Sequence, residues 1–353
     1  MSHNSESSDT PAPVVRRFGN SKFRAAISSE QEEVRIEFLQ PGQSLPLVFR
    51  STQPGQSLVA WAKDNRYLIE SQLSKHGAVL FRNFQVGAAR EFEQFIAAVS
   101  TQLLDYHERS SPRSQVSGHI YTSTDYPPTQ SIFLHNENSY QQSWPMRIFF
   151  FCSIAPRQGG ETPIADVRKV LARISPQTRE RFTRQRWMYV RNFGDGAGLP
   201  WQVVFQTEDK AAVEAHCQKN CIGFEWKDGN RLHTHAVRPA IEQHPETGEL
   251  VWFNHATFFH VTTLDSKISN LLLAEFSADE LPTNTFYGDG TDIEPAVLEE
   301  LRTAYREETT TFQWQQGDVL MLDNMLVAHG RAPFAGPREI LVGMADPMIR
   351  TDA

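Results

Sequence analysis

The sequence predicts a mainly β fold with helical insertions (α+β), closer to a barrel or jelly roll than to a doubly wound parallel sheet. Short apolar runs of strand length, bounded by Gly, Pro, Asn or Asp, recur through the middle and the end of the chain. Helical patterns lie before and between the early runs and interrupt the later ones. No repeat of domain-building period is visible and no Gly/Ser-rich or Pro-rich linker divides the runs into two self-sufficient sets. Residues 21–353 are therefore read as a single domain, and residues 1–20, a mixture of Ser, Asn, Pro and Arg without periodicity, as a disordered tail.

Taken in order, Ser57 to Lys75 has helical spacing through Trp61, Leu68, Ile69 and Leu73, and Gly77 stops it by permitting a left-handed cap. Ala78 to Phe84 is a short apolar run and reads as a strand. Ala88 to Val99 returns to helical spacing with Phe92, Phe95 and Ile96. Strands are then expected at Arg147 to Ile154, Trp187 to Phe193, Leu232 to Val237, Leu250 to Phe253, Thr311 to Trp314, Val319 to Asp323 and Ile340 to Ala345. Helices are expected to start at Ser175-Pro176, at Thr207-Glu208-Asp209 and at Glu294-Pro295, where a capping side chain or a proline with preset φ opens the first turn.

Composition narrows the class of protein. A chain of 353 residues, 40% hydrophobic and 22% charged, can bury a sizeable core. Its 34 basic against 42 acidic side chains leave a net charge of −8, which argues against a nucleic-acid partner. Three cysteines, Cys152, Cys217 and Cys221, make no disulfide framework and suit a reducing compartment. The longest apolar run, Ile148 to Ile154, is far short of a bilayer span, and the first residues lack the basic and apolar regions of a signal peptide. A soluble, cytoplasmic protein without a membrane partner is expected.

The chemistry concentrates in Phe133-Leu134-His135-Asn136-Glu137-Asn138-Ser139-Tyr140. On an extended chain His135 and Glu137, two residues apart, present an imidazole and a carboxylate to one ion. A third ligand is available at His329, just after the strand expected at Val319 to Asp323. Two imidazoles and one carboxylate on one face of an octahedral ion are the donor set of non-haem Fe(II) oxygenases. Rival clusters are weaker. His233 and His235 share a strand face but have no carboxylate at matching spacing. His216, Cys217 and Cys221 have no second Cys/His pair, and His255 and His260 suit a structural or pocket-lining role. No Walker loop, dinucleotide fingerprint or Gly-x-Ser-x-Gly occurs.

Several blocks in order raise the iron reading: His135-Asn136-Glu137, Gly159-Gly160-Glu161-Thr162-Pro163-Ile164-Ala165-Asp166, and His329-Gly330-Arg331 with Pro337-Arg338-Glu339-Ile340-Leu341. Together they resemble the taurine-dioxygenase-like (TauD/TfdA) superfamily of Fe(II)- and 2-oxoglutarate-dependent oxygenases, closest to its clavaminate-synthase-like and SyrP-like branch. The resemblance runs from about Ala78 to Pro347 and includes Tyr121 to Pro127, Arg191 to Asp195 and Val251 to His255. It implies a double-stranded β-helix, with Fe(II) as cofactor and 2-oxoglutarate and O2 as co-substrates. It also implies His135, Glu137 and His329 as metal ligands, and Thr162 and Arg338 as the groups holding 2-oxoglutarate. Arg331, nearer to His329, is the alternative anchor, because the nine-residue interval from His329 to Arg338 is shorter than in many relatives. Glu137 fills the position that related halogenases leave to chloride, so halogenation is not expected.

The resemblance further implies hydroxylation of an unactivated C–H of an amino acid, at Cβ, in specialised metabolite (antibiotic) biosynthesis, with the substrate free or tethered to a peptidyl carrier protein. Desaturation or cyclisation by the same oxidant, and a non-catalytic jelly-roll binding or regulatory protein, are the alternatives. Tyr121, Ser123 and Asn254 are candidate substrate contacts. Eight basic residues in the stretch from Asp166 to Arg191, against the acids Asp166 and Glu180, offer a docking face for an acidic carrier.

Overall fold

Side chains alternate between two apolar clusters along the strand Val319–Asp323, and that alternation organises the structure. Val319 and Met321 enter a cluster with Leu47, Phe49, Val79, Phe81, Phe149 and Phe151, while Leu320 and Leu322 enter another with Val48, Leu80, Ile148 and Phe150. Both faces of the sheet are covered, which is why these strands read as unbroken apolar runs. A computed structural model describes residues 1, 33–40, 42–104, 114–123, 126–194 and 198–350. Apart from Met1, the tail expected over residues 1–20 lies outside the described residues.

The large sheet has eight strands in the order Val34–Phe38, Leu47–Ser51, Ala78–Arg82, Val319–Asp323, Ser143–Ile154, Glu339–Ile349, Ile120–Thr122 and Gln115–Ser117. Its pairs are antiparallel except Leu47–Ser51 with Ala78–Arg82. One face is covered by the helices Leu58–Asp64, Arg66–His76 and Ala89–Val99, which bury Leu58, Ala62, Ile69, Leu73, Phe92, Phe95 and Ile96. The single helix expected from Ser57 is broken at Asn65, whose Nδ2 donates to the Trp61 carbonyl. Gly77 ends the second helix at φ 77°, as expected.

The other face packs on a four-stranded sheet in the order Thr309–Thr310, Ile164–Asp166, Val327–Arg331 and Ile132–His135, through Leu134, Ile164, Val327 and Ala328. Two packed sheets with helical insertions bear out the expected fold class. A second four-stranded sheet, in the order Gly223–Lys227, Arg231–Arg238, Trp187–Phe193 and Thr283–Tyr287, carries a small core of its own with Phe193, Trp201, Val204, Val213, Cys217 and Leu232. The helices Pro176–Gln185, Lys210–Lys219 and Pro295–Glu308 start where capping predicts, with the Ser175 hydroxyl and the Asp209 carboxylate accepting from the first turn.

Two expectations fail locally. Thr311 to Trp314 is no strand: pairing stops at Thr310, and Phe312 and Trp314 are buried as irregular chain. Their alternation reports burial, not a ladder. Nor does His329 simply follow the strand Val319–Asp323. A tight turn, in which the Asp323 carboxylate accepts from Met325 and Leu326 N–H, carries the chain into the other sheet, and His329 lies within the strand Val327–Arg331. No described helix is long and apolar enough to cross a membrane.

Candidate active site

His135 and His329 are cross-strand partners. The strand Val327–Arg331 pairs antiparallel with Ile132–His135, and the register sets His329 opposite His135, so both imidazoles leave the same face with ring centroids 4.5 Å apart. The chain closes to fit. A Cβ on Gly330 would lie 2.6 Å from the Ile132 carbonyl oxygen.

Glu137 arrives differently from the strand alternation expected. The strand ends at His135, and Glu137 sits in the following turn, where Ser139 N–H donates to the Asn136 carbonyl and Asn138 takes φ 58°. With no strand neighbour, the turn is fixed by the fully buried Asn324. Its Oδ1 accepts from Glu137 N–H, and its Nδ2 donates to the Glu137 and Pro145 carbonyls, at 2.8, 2.9 and 2.8 Å respectively. The Asn136 side chain returns a bond to the Asn324 carbonyl at 2.7 Å. The Glu137 carboxylate then stands 3.9 Å from His135 Nε2 and 3.8 Å from His329 Nε2.

Ligand atoms of His135, Glu137 and His329 lie within 4.8 Å of one another, the one such group of three among the described residues. His135 Nδ1–H donates to the Phe133 carbonyl at 2.9 Å, which leaves the Nε2 lone pair toward the cluster. Two imidazole nitrogens and one carboxylate are a donor set that fits a divalent transition metal. Phe258 and Phe150 pack against His135 and His329 at 4.6 and 5.1 Å, and His255 lies 5.6 Å from His135. His255 is buried, with Nδ1 2.6 Å from the Ser139 hydroxyl, and burial reinforced by His135 drops its pKa well below the usual imidazole value. It lines the site as a neutral ring, in keeping with the structural or pocket-lining role expected.

The segment from Gly159 to Asp166 runs along the His329 strand. Gly160 N–H, Ala332 N–H and Gly330 N–H make bonds to the Pro333, Glu161 and Pro163 carbonyls, and Ile164 lies opposite His329. Thr162 is buried here, and its hydroxyl oxygen accepts from Trp314 Nε1–H at 3.1 Å. Arg338 joins the same segment by donating from Nε to the Gly160 carbonyl at 2.9 Å, and its guanidinium rests 5.4 Å from the Phe334 ring. A Cβ on Gly160, at φ 73°, would come within 2.9 Å of Arg338 Cδ. No carboxylate is within ion-pair distance of Arg338 among the described residues. Burial, with Arg331 adding repulsion, lowers its pKa to about 10, so an arriving anion relieves an electrostatic cost.

Arg331 is engaged otherwise. It donates to the carbonyls of Tyr126, Pro127 and Gln130 at 2.9, 2.6 and 3.0 Å and thereby pins a loop. Of the candidate substrate contacts, Tyr121 packs with Leu104 and Met344, and Ser123 donates its N–H to the Ile340 carbonyl. Asn254 commits its amide to the Ala240 carbonyl and the Ala256 N–H. Thr124, Asp125 and Asp195 of the family-like blocks lie outside the described residues. His233 bonds to Asn192 Oδ1, and Cys217 is buried in the small core. Sequence reasoning missed Asn324 and Trp314. Both stand in quoted or apolar segments, but nothing in the sequence shows what lies across from them.

A family model described as Taurine catabolism dioxygenase TauD, TfdA family matches residues 43–345. The chain belongs to this family. That bears out the expected TauD/TfdA membership and the enzyme class, a dioxygenase. Among relatives, the chain is 40% identical over 280 residues to the dapdiamide synthesis protein DdaC of Enterobacter agglomerans, covering 79% of this chain and 85% of DdaC. It is 30% identical over 346 residues to a clavaminate synthase-like protein of Arabidopsis thaliana, covering 95% and 97%. Among solved structures it is similar to PvcB, named as an Fe, alpha-ketoglutarate dependent oxygenase from an isonitrile synthetic pathway. There the TM-score is 0.54 at 14% identity, over 92% of this chain and 97% of that one. The cofactors expected here, Fe(II) and 2-oxoglutarate, accord with those named for that neighbour.

Proposed function

We propose that this TauD/TfdA dioxygenase uses Fe(II), 2-oxoglutarate and O2 to hydroxylate an unactivated C–H, at Cβ, of an amino acid in specialised metabolite biosynthesis. The convergence of His135, Glu137 and His329 carries the reading. These three would hold the iron, and the chemistry it supplies when bound is activation of O2 coupled to oxidative decarboxylation of 2-oxoglutarate. The likeness to DdaC supports a role in specialised metabolism.

The chain's own residues position and exclude. Asn324 holds the Glu137 peptide, and the Phe133 carbonyl keeps the His135 proton on Nδ1. Arg338 presents a fork of N–H donors with no carboxylate partner among the described residues, suited to the distal carboxylate of 2-oxoglutarate. The Thr162 hydroxyl, accepting from Trp314, has its proton left to donate to a carboxylate oxygen. Phe150, Phe258 and His255 line the cluster with rings that keep water out.

Presentation on a peptidyl carrier protein gains less from the basic stretch than its composition suggests. Arg168 pairs with Asp166 and Glu249, Arg173 with Glu307 and Glu308, and Arg181 with Glu294. Their charge is largely met within the chain. We read the protein as acting in the cytoplasm.

Anaerobic addition of Fe(II) and 2-oxoglutarate should produce a weak visible charge-transfer band, and His135→Ala and His329→Ala should each abolish it. A band of full strength in both variants would move the metal elsewhere. Mass spectrometry of products from free and carrier-loaded amino acids tests hydroxylation and tethering. Desaturated or cyclised products would replace the hydroxylation assignment.

A further inference from the structure

A cavity of about 30 Å³ lies between the second four-stranded sheet and the turn after Glu137. It has room for about two waters or one carboxylate. Tyr140, Tyr189, Arg191, Thr234 and Arg238 are among its lining residues, and that lining holds two arginines and no carboxylate. Arg238 is buried and fixed, donating to the carbonyls of Tyr140, Asn220, Cys221 and Val237.

Arg191 is different. Its side chain makes no hydrogen bond or ion pair among the described residues, and its guanidinium is steadied by rings, 4.7 Å from Phe193 and 5.8 Å from Tyr189 on the same strand face. A half-buried guanidinium framed by aromatic rings, with its donors uncommitted, is built to receive an anion. Two packed rings link the cavity to the metal-ligand cluster. Tyr140 lines the cavity and packs 5.0 Å from His255, whose ring lies 5.6 Å from His135.

We propose that Arg191 binds a free carboxylate of the substrate in this cavity, so that the substrate is an amino acid whose carboxylate is unblocked and whose reacting carbon extends past Tyr140 toward the cluster. This rests on the oxygenase reading of that cluster and narrows its substrate class. A substrate held by its carboxyl group as a carrier thioester lacks the anion that Arg191 would bind.

The probes are the proteinogenic L-amino acids, each as free acid and as methyl ester, titrated calorimetrically into the full chain with Mn(II) and 2-oxoglutarate under nitrogen. At least one free acid should bind tenfold or more tightly than its ester. Arg191→Met should remove that preference, and Arg191→Lys, which keeps the charge without the fork, should retain part of it. Equal binding of acid and ester, no binding by any free acid, or an undiminished preference in Arg191→Met would overturn the proposal. Thermal unfolding of each variant checks its folding, and if Arg191→Met does not fold, a reduced preference in Arg191→Lys supports the proposal and an undiminished one overturns it. The Fe(II)·2-oxoglutarate charge-transfer band should persist in both variants. Its absence from wild type would instead mark failure of the underlying oxygenase reading.

Discussion

Asn324 grips the backbone of Glu137 from both sides, its Oδ1 accepting the Glu137 N–H at 2.8 Å and its Nδ2 donating to the Glu137 carbonyl at 2.9 Å. A turn residue proposed as a metal ligand is thus tied to the corner that leads into the His329 strand. Asn324→Ala should lower Fe(II) affinity by about 10–100-fold, the usual effect of losing a partner that orients a ligand. Anaerobic competition with a chromogenic chelator measures it. Unchanged affinity in a destabilised variant would leave Asn324 a purely structural role.

Two arginines compete for the anchor of 2-oxoglutarate, and their surroundings rank them. Arg338→Ala should raise the 2-oxoglutarate concentration needed for half-maximal charge-transfer absorbance by about 30-fold or more, consistent with roughly 2–5 kcal/mol for truncating a buried charged pair. Arg331→Ala removes bonds to three loop carbonyls. It should act mainly on stability, by about 1–3 kcal/mol in denaturant unfolding. The opposite ranking would reassign the anchor.

Trp314 is placed to orient the Thr162 hydroxyl, not to meet the co-substrate itself. Trp314→Phe keeps the ring beside Phe312 and deletes the donor, so 2-oxoglutarate binding should weaken by about fivefold, the worth of one hydrogen bond near 1 kcal/mol. In Thr162→Val that same substitution should have almost no further effect. Additive losses in the double variant would show that the two side chains act separately.

His260 predicts an acid-sensitive step in stability. Burial, with Arg302 adding repulsion, lowers its pKa from 6.5 to about 4, and its Nδ1 accepts from Thr262 N–H as the cap of a short helical turn. Below pH 6.5 the unfolded chain takes up a proton that the folded chain refuses, so this contribution to stability falls as pH drops from 6.5 and levels off below about 4. His260→Asn retains a capping acceptor without titrating in that range. Its denaturant midpoint should vary less between pH 6.5 and 4.5 than that of wild type; an identical pH dependence would exclude His260 as a source.

The sequence by itself determined the β-rich class, the helix starts at Ser175, Asp209 and Glu294, and the residues His135, Glu137 and His329, because apolar runs, caps and short motifs are local signals. Only the tertiary structure decided how those residues meet. His135 and His329, 194 positions apart in the sequence, become neighbours through strand register, and Glu137 is aimed by Asn324 because its strand has already ended. Arg338 and Arg331 look alike as charges near a histidine; one has its donors committed to loop carbonyls and the other keeps most of its fork uncommitted. Trp314, read as part of a strand, is an indole donor to Thr162. Such pairings depend on which groups long-range packing buries together, and a buried polar group takes whatever partner lies within reach. No local pattern encodes that choice.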